Sequence, residues 1–398
     1  MLQMQLPVAG QDPVVAPQPM QEPRGPAWLA YGFRPFFLAG SGAAVLLMAL
    51  WLMILAGWQV PHPGLEPIRW HAHEMLFGFG GAVVAGFLLT AVPNWTGLPT
   101  PKDARLGFLL CLWLLGRLGS WQGGSGAVLD LLFLPALGLA LAGPLLRAGQ
   151  LRNVIFLPVL AMLWLANALF WLGPSPASAL SLALYGLLLL ISLIGGRVIP
   201  FFTERALSGH VPRRWGWLEG LALAGLFLSA LVENWPGVSV VQKLMILSLT
   251  AGFHVLRMWG WGSARALRVP LLWVLYLAYS FLPLGLLLRG LAWMGWGSLS
   301  AATHALTAGC IAIMCLGMMA RVALGHTGRE LKPTRMTVLA FALMGASALC
   351  RSLVLFLWPG LYSHALWCAG VLWCLAFTLY FLAYWPVLTR PRVDGKPG

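Results

Sequence analysis

Trp70-His71-Ala72-His73-Glu74-Met75 opens an apolar run that continues to Val92, and the reading of that run decides the fold. A helix of about 20 apolar residues crosses a hydrocarbon layer roughly 30 Å thick. Two imidazoles and a carboxylate at the rim of such a helix are expensive, about 2.5–3.5 kcal/mol per charge at mid-bilayer. Structure alone rarely needs them; metal or haem ligation, proton handling and ion passage do. Runs of the same character recur along the chain, placing twelve spans near 35–57, 71–92, 104–121, 126–146, 152–173, 177–202, 216–235, 239–259, 268–289, 299–323, 335–358 and 364–388. They are Leu- and Ala-rich and continuous, not alternating, which argues against strands. Hydrophobic residues make up 60% of the chain, charged residues 9%, and the mean hydropathy is +0.81. A soluble domain carries about 25% charged residues. The expected fold is all-α, a polytopic membrane protein with twelve transmembrane helices.

Charge orients the bundle. Of the 25 Lys and Arg, only Arg69, Arg117, Lys243, Arg289 and Arg351 fall toward the side reached by odd-numbered spans; the others collect at the termini and on the opposite side. Basic residues accumulate in cytoplasmic loops, so the expected location is a bacterial cytoplasmic membrane, multi-pass, with both termini cytoplasmic. The net charge of +14 then reflects insertion and contact with anionic lipid, with no nucleic-acid partner required. Residues 1–30 are rich in Pro and Gln and are expected to form a disordered cytoplasmic tail. Residues 31–389 form the transmembrane domain, and 390–398 a short cytoplasmic tail. All six cysteines lie inside spans with no CxxC pair, which points to packing rather than disulfides.

Three spans end alike, at Thr90-Ala91-Val92-Pro93-Asn94-Trp95-Thr96, Arg197-Val198-Ile199-Pro200-Phe201-Phe202-Thr203 and Arg321-Val322-Ala323-Leu324-Gly325-His326-Thr327. Each is four spans from the next, as in three parallel four-helix repeats; chance similarity among Leu-rich helices is the competing reading. His73 precedes Thr96 by 23 residues, and His304 precedes Thr327 by the same 23. Leu180 holds the equivalent place in the middle unit.

Five histidines lie toward the Arg-poor side: His62 in a loop, His71 and His73 at the start of the second span, His304 in the tenth and His364 opening the twelfth. The four on helices fall within about one or two turns of a common plane at 1.5 Å per residue. Imidazole is the common ligand of copper, iron and zinc, and a haem b takes one or two axial imidazoles from facing helices. His71 and His73 are about 200° apart on a regular helix and serve different neighbours, so two sites are expected rather than one. Glu74 is placed to orient His71 as an acceptor. Arg117 and Arg351 suit haem propionates, with snorkelling to headgroups as the alternative. His254, Arg257, Arg197 and Arg321 suggest a second polar focus near the basic side, which helix-end anchoring would also explain. Headgroup contact is the simpler reading of His62 and His364.

The chain resembles the NnrS family, from Phe33-Arg34-Pro35-Phe36-Phe37 onward. Its most specific segments are Trp70-His71-Ala72-His73-Glu74-Met75-Leu76-Phe77-Gly78-Phe79 and Gly86–Gly97, with Gly195-Gly196-Arg197-Val198-Ile199-Pro200-Phe201-Phe202-Thr203 a further match. Ala305-Leu306-Thr307-Ala308-Gly309, Arg321–Arg329 and Pro391-Arg392-Val393-Asp394-Gly395 add to the match. Two places depart from similar sequences: Leu275-Tyr276-Leu277 and Phe170-Trp171 stand where a histidine is often found. The resemblance implies haem b, copper and a role in the response to nitric oxide.

These readings combine into one expectation: a membrane haem/copper protein of nitrosative stress that binds or detoxifies nitric oxide. His73 and His304 are the expected haem ligands, with His71, Arg117, Arg351 and His254 as further cofactor contacts. The expected copper ligands are His71, His62, His364 and Glu74. No carboxylate chain or electron entry is evident, so the sequence leaves enzymatic turnover open, as it does the oligomeric state. A secondary transporter or metal permease is the alternative; breaks at Pro158, Pro283 and Gly195-Gly196 would favour it. A sensor or assembly factor is the third reading.

Overall fold

The computed structural model describes residues 25–58 and 64–396. The expected tail falls mostly on residues 1–24 and the His62 candidate on 59–63, so both lie outside the described residues. Among the described residues there is no strand, and twelve long helices form one bundle. They are α1 (Phe33–Leu55), α2 (Pro67–Thr96), α3 (Asp103–Gln122), α4 (Gly124–Arg147), α5 (Leu151–Leu172), α6 (Pro176–Ala206), α7 (Gly216–Asn234), α8 (Val240–Trp261), α9 (Pro270–Trp293), α10 (Leu299–His326), α11 (Arg335–Leu357) and α12 (Pro359–Thr389). All but α3 are long and apolar enough to cross a bilayer. Asp103, Arg105 and Arg117 lower the hydropathy of α3, which lies against α4 through Gly116, Gly119 and Gly126. The protein is a multi-pass helical membrane protein.

Helix neighbours follow a rule. Consecutive pairs α1/α2, α5/α6 and α9/α10 pack together, as do α3/α4, α7/α8 and α11/α12. The joints between them are α4/α5, α8/α9 and α12/α1, which closes the ring. The inner helices are α2, α6 and α10, 78%, 61% and 83% buried against 22% for α1, and they touch one another at the centre. Their ends share one device: the hydroxyls of Thr96, Thr203 and Thr327 donate to carbonyls four residues earlier, at 2.8, 2.8 and 2.7 Å.

Apolar side chains fill the space among the inner helices. A cavity of about 70 Å³ remains there, lined by Val84, Leu187, Ile191, Ile194, Met314 and Met318 among others. Its walls are almost wholly carbon and sulfur. Water needs two to four polar partners to settle in such a space, so the cavity suits a small apolar guest.

Segments expected as tails dock on the basic face. Ala30 is buried and Leu29 packs on the core. Arg34 donates to the carbonyls of Leu388 and Arg390 at 3.0 and 2.7 Å, and Arg392 to that of His326 at 2.7 Å. The six cysteines are free. Pro283 and Gly195-Gly196 lie within unbroken α9 and α6, and Pro158 within the continuous helix Phe156–Leu172. In place of the breaks a permease would favour, three π-helical turns appear: Glu74–Gly80 in α2, Ala305–Ala312 in α10 and Cys350–Val354 in α11. Each begins within one residue of His73, His304 or Arg351. Such turns are rare and frequently mark functional sites.

Candidate functional site: three polar foci at the Arg-poor rim

Three groups of polar side chains sit at this rim, where successive sets of four helices meet. At the first, His73 is fully buried between two carboxylates. Its Nδ1 lies 3.1 Å from Glu74 Oε1, and its Nε2 lies 3.1 Å from Asp130 Oδ2 and 3.0 Å from Asn167 Oδ1. The Asn167 amide donates to Asp130 at 2.8 Å, which leaves its oxygen facing the ring. All three ring partners are acceptors, so both ring nitrogens must donate. His73 is therefore an imidazolium with no lone pair for a metal. Arg117 binds Glu74 Oε1 at 2.7 Å and also pairs with Asp130. Ser120 and Trp171 complete the knot, donating to Glu74 and Asp130 at 2.6 and 2.9 Å. Two cations meet two anions, so the group is neutral. Gly78 makes room for it, since a Cβ there would stand 2.9 Å from Glu74 Oε2 and 3.0 Å from Arg117 Nη1.

The second focus is a buried pair. Arg289 Nε lies 3.0 Å from both carboxylate oxygens of Glu233. Tyr185 and Trp293 each donate to Glu233 at 2.6 Å, and Arg289 Nη1 donates to Thr303 at 2.6 Å. Lys243 sits 3.7 Å from the centre of the Trp293 ring.

The third focus has no acid. His71 of α2, His304 of α10 and Arg351 of α11 lie within electrostatic reach of one another. His304 Nδ1 is 2.7 Å from the Ser300 carbonyl. A carbonyl only accepts, so Nδ1 carries the proton and Nε2 keeps a free lone pair, the tautomer a metal ligand requires. His71 stacks on Trp51 with ring centres 4.5 Å apart, and its Nδ1 is buried without a hydrogen-bond partner. Arg351 Nη1 is equally sealed and unpartnered, while Nη2 reaches Ser300 Oγ at 3.3 Å.

Several expectations change accordingly. The structure brings His304 together with His71, not with His73, whose ring partners come from α2, α4 and α5. Glu74 does not orient His71; its carboxylate joins the knot around His73, bound by Arg117 and Ser120. Arg117 has both guanidinium ends engaged, so it is not free for a propionate. His364 is exposed at the start of α12. Among the described residues no group of three or more His, Cys, Asp or Glu has metal-holding geometry, and the His62 member of the expected copper set lies outside them. Phe170 and Trp171 cover His73, with ring centres at 4.7 and 5.5 Å.

The basic-side focus is real but smaller than expected. His254 Nδ1 lies 2.7 Å from the Tyr279 hydroxyl, which also accepts from Arg257 at 2.7 Å. Arg257 continues to Ser192 at 2.7 Å and pairs with Glu219. Gly196 must lack a side chain, because its Cβ would stand 2.1 Å from Arg257 Nη2. Arg197 turns instead to Asn153 at 3.1 Å, and Arg321 lies over Phe202 at 3.6 Å. Asn167, Ser120, Glu219 and Tyr279 had no sequence signal as site residues. Each is an ordinary helix-face residue until the partner helix is placed.

The model of the NnrS protein family matches residues 27–392, nearly the whole chain. The chain belongs to the NnrS family. A search of curated proteins finds no match. In this NnrS member the matched region contains all three rim foci and the basic-side cluster, so every site residue described lies within the family's span.

Proposed function

We propose that the protein is a haem- and copper-binding membrane protein of the nitric oxide response, with its cofactor-ligating imidazoles at the third rim focus. The observation that carries this reading is the 2.7 Å contact between His304 Nδ1 and the Ser300 carbonyl. A proton pinned on Nδ1 leaves Nε2 free beside a second imidazole from another helix. The residues present fit the group: two imidazoles from facing helices, an unpartnered His71 nitrogen and a guanidinium without a carboxylate. Ferrous haem, when bound, supplies a metal centre with affinity for nitric oxide. The chain's own part is to hold His304 through Ser300, to hold His71 against Trp51, and to present Arg351 to a negative group.

Nitric oxide partitions into lipid as a small apolar gas, and the central apolar cavity suits such a guest. An inner-membrane location with both termini cytoplasmic is the orientation the basic face supports. Three four-helix repeats are supported by the central placement of every fourth helix and by the shared threonine bonds. An apolar axis and unbroken α6 and α9 favour a binder over a metal permease. Pyridine-haemochrome and metal analysis of the wild type, His71→Ala, His304→Ala and His73→Ala tests the reading. It predicts loss of haem in the first two variants and retention per folded molecule in the third. Haem loss confined to His73→Ala would sink it.

A further inference from the structure

Charge balance separates the three rim foci. Among the described residues four acids are in reach of this rim, and each already has a cation: Glu66 with exposed Arg69 at 3.3 Å, Glu74 and Asp130 with Arg117, and Glu233 with Arg289 at 2.9 Å. Lys243 rests on the ring of Trp293, whose N–H is bound to Glu233. Arg351 is left over. It meets the Ser300 hydroxyl and lies near Tyr362, His71 and His304, none of them a carboxylate.

A guanidinium held in a span without a counter-charge is costly, and an anion supplied from outside relieves that cost. We infer that Arg351 and the Nδ1 edge of His71 form an anion site for a carboxylate or small planar oxyanion. The bound anion would take the role that Glu233 plays against Arg289. A planar fork of N–H donors matches two oxygens at once. The His71 N–H adds a third bond and, by fixing its proton on Nδ1, leaves Nε2 free as on His304. Depth agrees: at 1.5 Å per residue, Arg351 lies about 9 Å below the end of α11 and His71 about 6 Å below the start of α2. The anion has two possible sources, a carboxylate of the bound cofactor or a free oxyanion. Only the first rests on the proposed cofactor reading.

The test uses the full chain in detergent, haem-free and haem-loaded, with formate as the probe and the ¹⁵N resonances of His71 as the readout. Haem-free protein should bind formate and shift His71, Arg351→Gln should weaken that binding at least tenfold, and Arg69→Gln should leave it unchanged. Arg351→Lys, which keeps the charge but not the fork, should fall between them and guards against misfolding of the glutamine variant. If the cofactor's carboxylate is the source, loaded protein ignores formate and Arg351→Gln releases haem faster. If a free oxyanion is the source, both forms bind formate alike. Equal formate affinity in the wild type and Arg351→Gln, or no formate binding together with unchanged haem release, overturns the inference. A chain that takes up no haem at all would refute the cofactor reading while leaving the formate titration readable.

Discussion

His73 and His304 hold equivalent places in sequence, yet one sits in a closed knot and the other in an open site. Around His73, Glu74, Asp130, Asn167 and Arg117 satisfy both ring nitrogens and cancel the charge. Around His304, a backbone carbonyl takes one nitrogen, and among the described residues nothing takes the other. An imidazole in a membrane helix is thus not a ligand by type. Its partners decide: two acceptors make it a cation that binds helices together, and one acceptor leaves it free to bind something else.

The largest way to break this contrast is to remove an anion from the knot. Asp130→Ala leaves Arg117 and His73 facing a single carboxylate in a low-dielectric site, and should cost about 3–5 kcal/mol. Unfolding in mixed detergent, read by circular dichroism, measures it. Glu233→Ala should cost a similar amount at the second focus, because Arg289 would be left buried and unpaired. By contrast, His304→Ala should barely change stability, since the single bond from Nδ1 to Ser300 is worth about 1 kcal/mol, while it abolishes haem uptake. If His304→Ala destabilised as strongly as Asp130→Ala, the open site would be another structural knot.

A smaller effect sharpens the same division at the centre. Ile191→Phe should fill the cavity among α2, α6 and α10 and cost about 1–3 kcal/mol through overpacking, and it should abolish xenon binding measured by ¹²⁹Xe exchange. Retained haem in that variant would place the cofactor at the rim rather than on the axis. The least effect is expected outside the spans, where Arg392 hydrogen-bonds the exposed Asp394 and holds its carboxyl down to about 2. A depressed carboxyl stabilises fully above its ordinary value near 3.8 and loses that contribution as the pH falls through 2. Asp394→Asn should remove only that acid dependence, read as a flattened melting temperature between pH 4 and 2.

Much of the architecture was legible because a bilayer imposes a length and a polarity that any single helix must meet alone. Hence the twelve spans, the basic face and the crowding of ionisable groups near the opposite rim follow from local runs. Cys310 and Cys315 likewise read as packing residues and are packed. Glu74 was misread because Arg117 and Ser120, which draw its carboxylate beside His73, come from α3. Arg117 was misread because its two acids come from α2 and α4, and nothing in α3 names them.

Sequence alone therefore determined that this is a multi-pass helical protein of the NnrS type, with most of its imidazoles placed toward the Arg-poor rim. Hydropathy and motif are properties of each segment, so they need no partner to be read. Only the packed bundle decided which imidazole is saturated and which is free. That choice turns on hydrogen-bond acceptors brought from other helices, and no single helix carries the information.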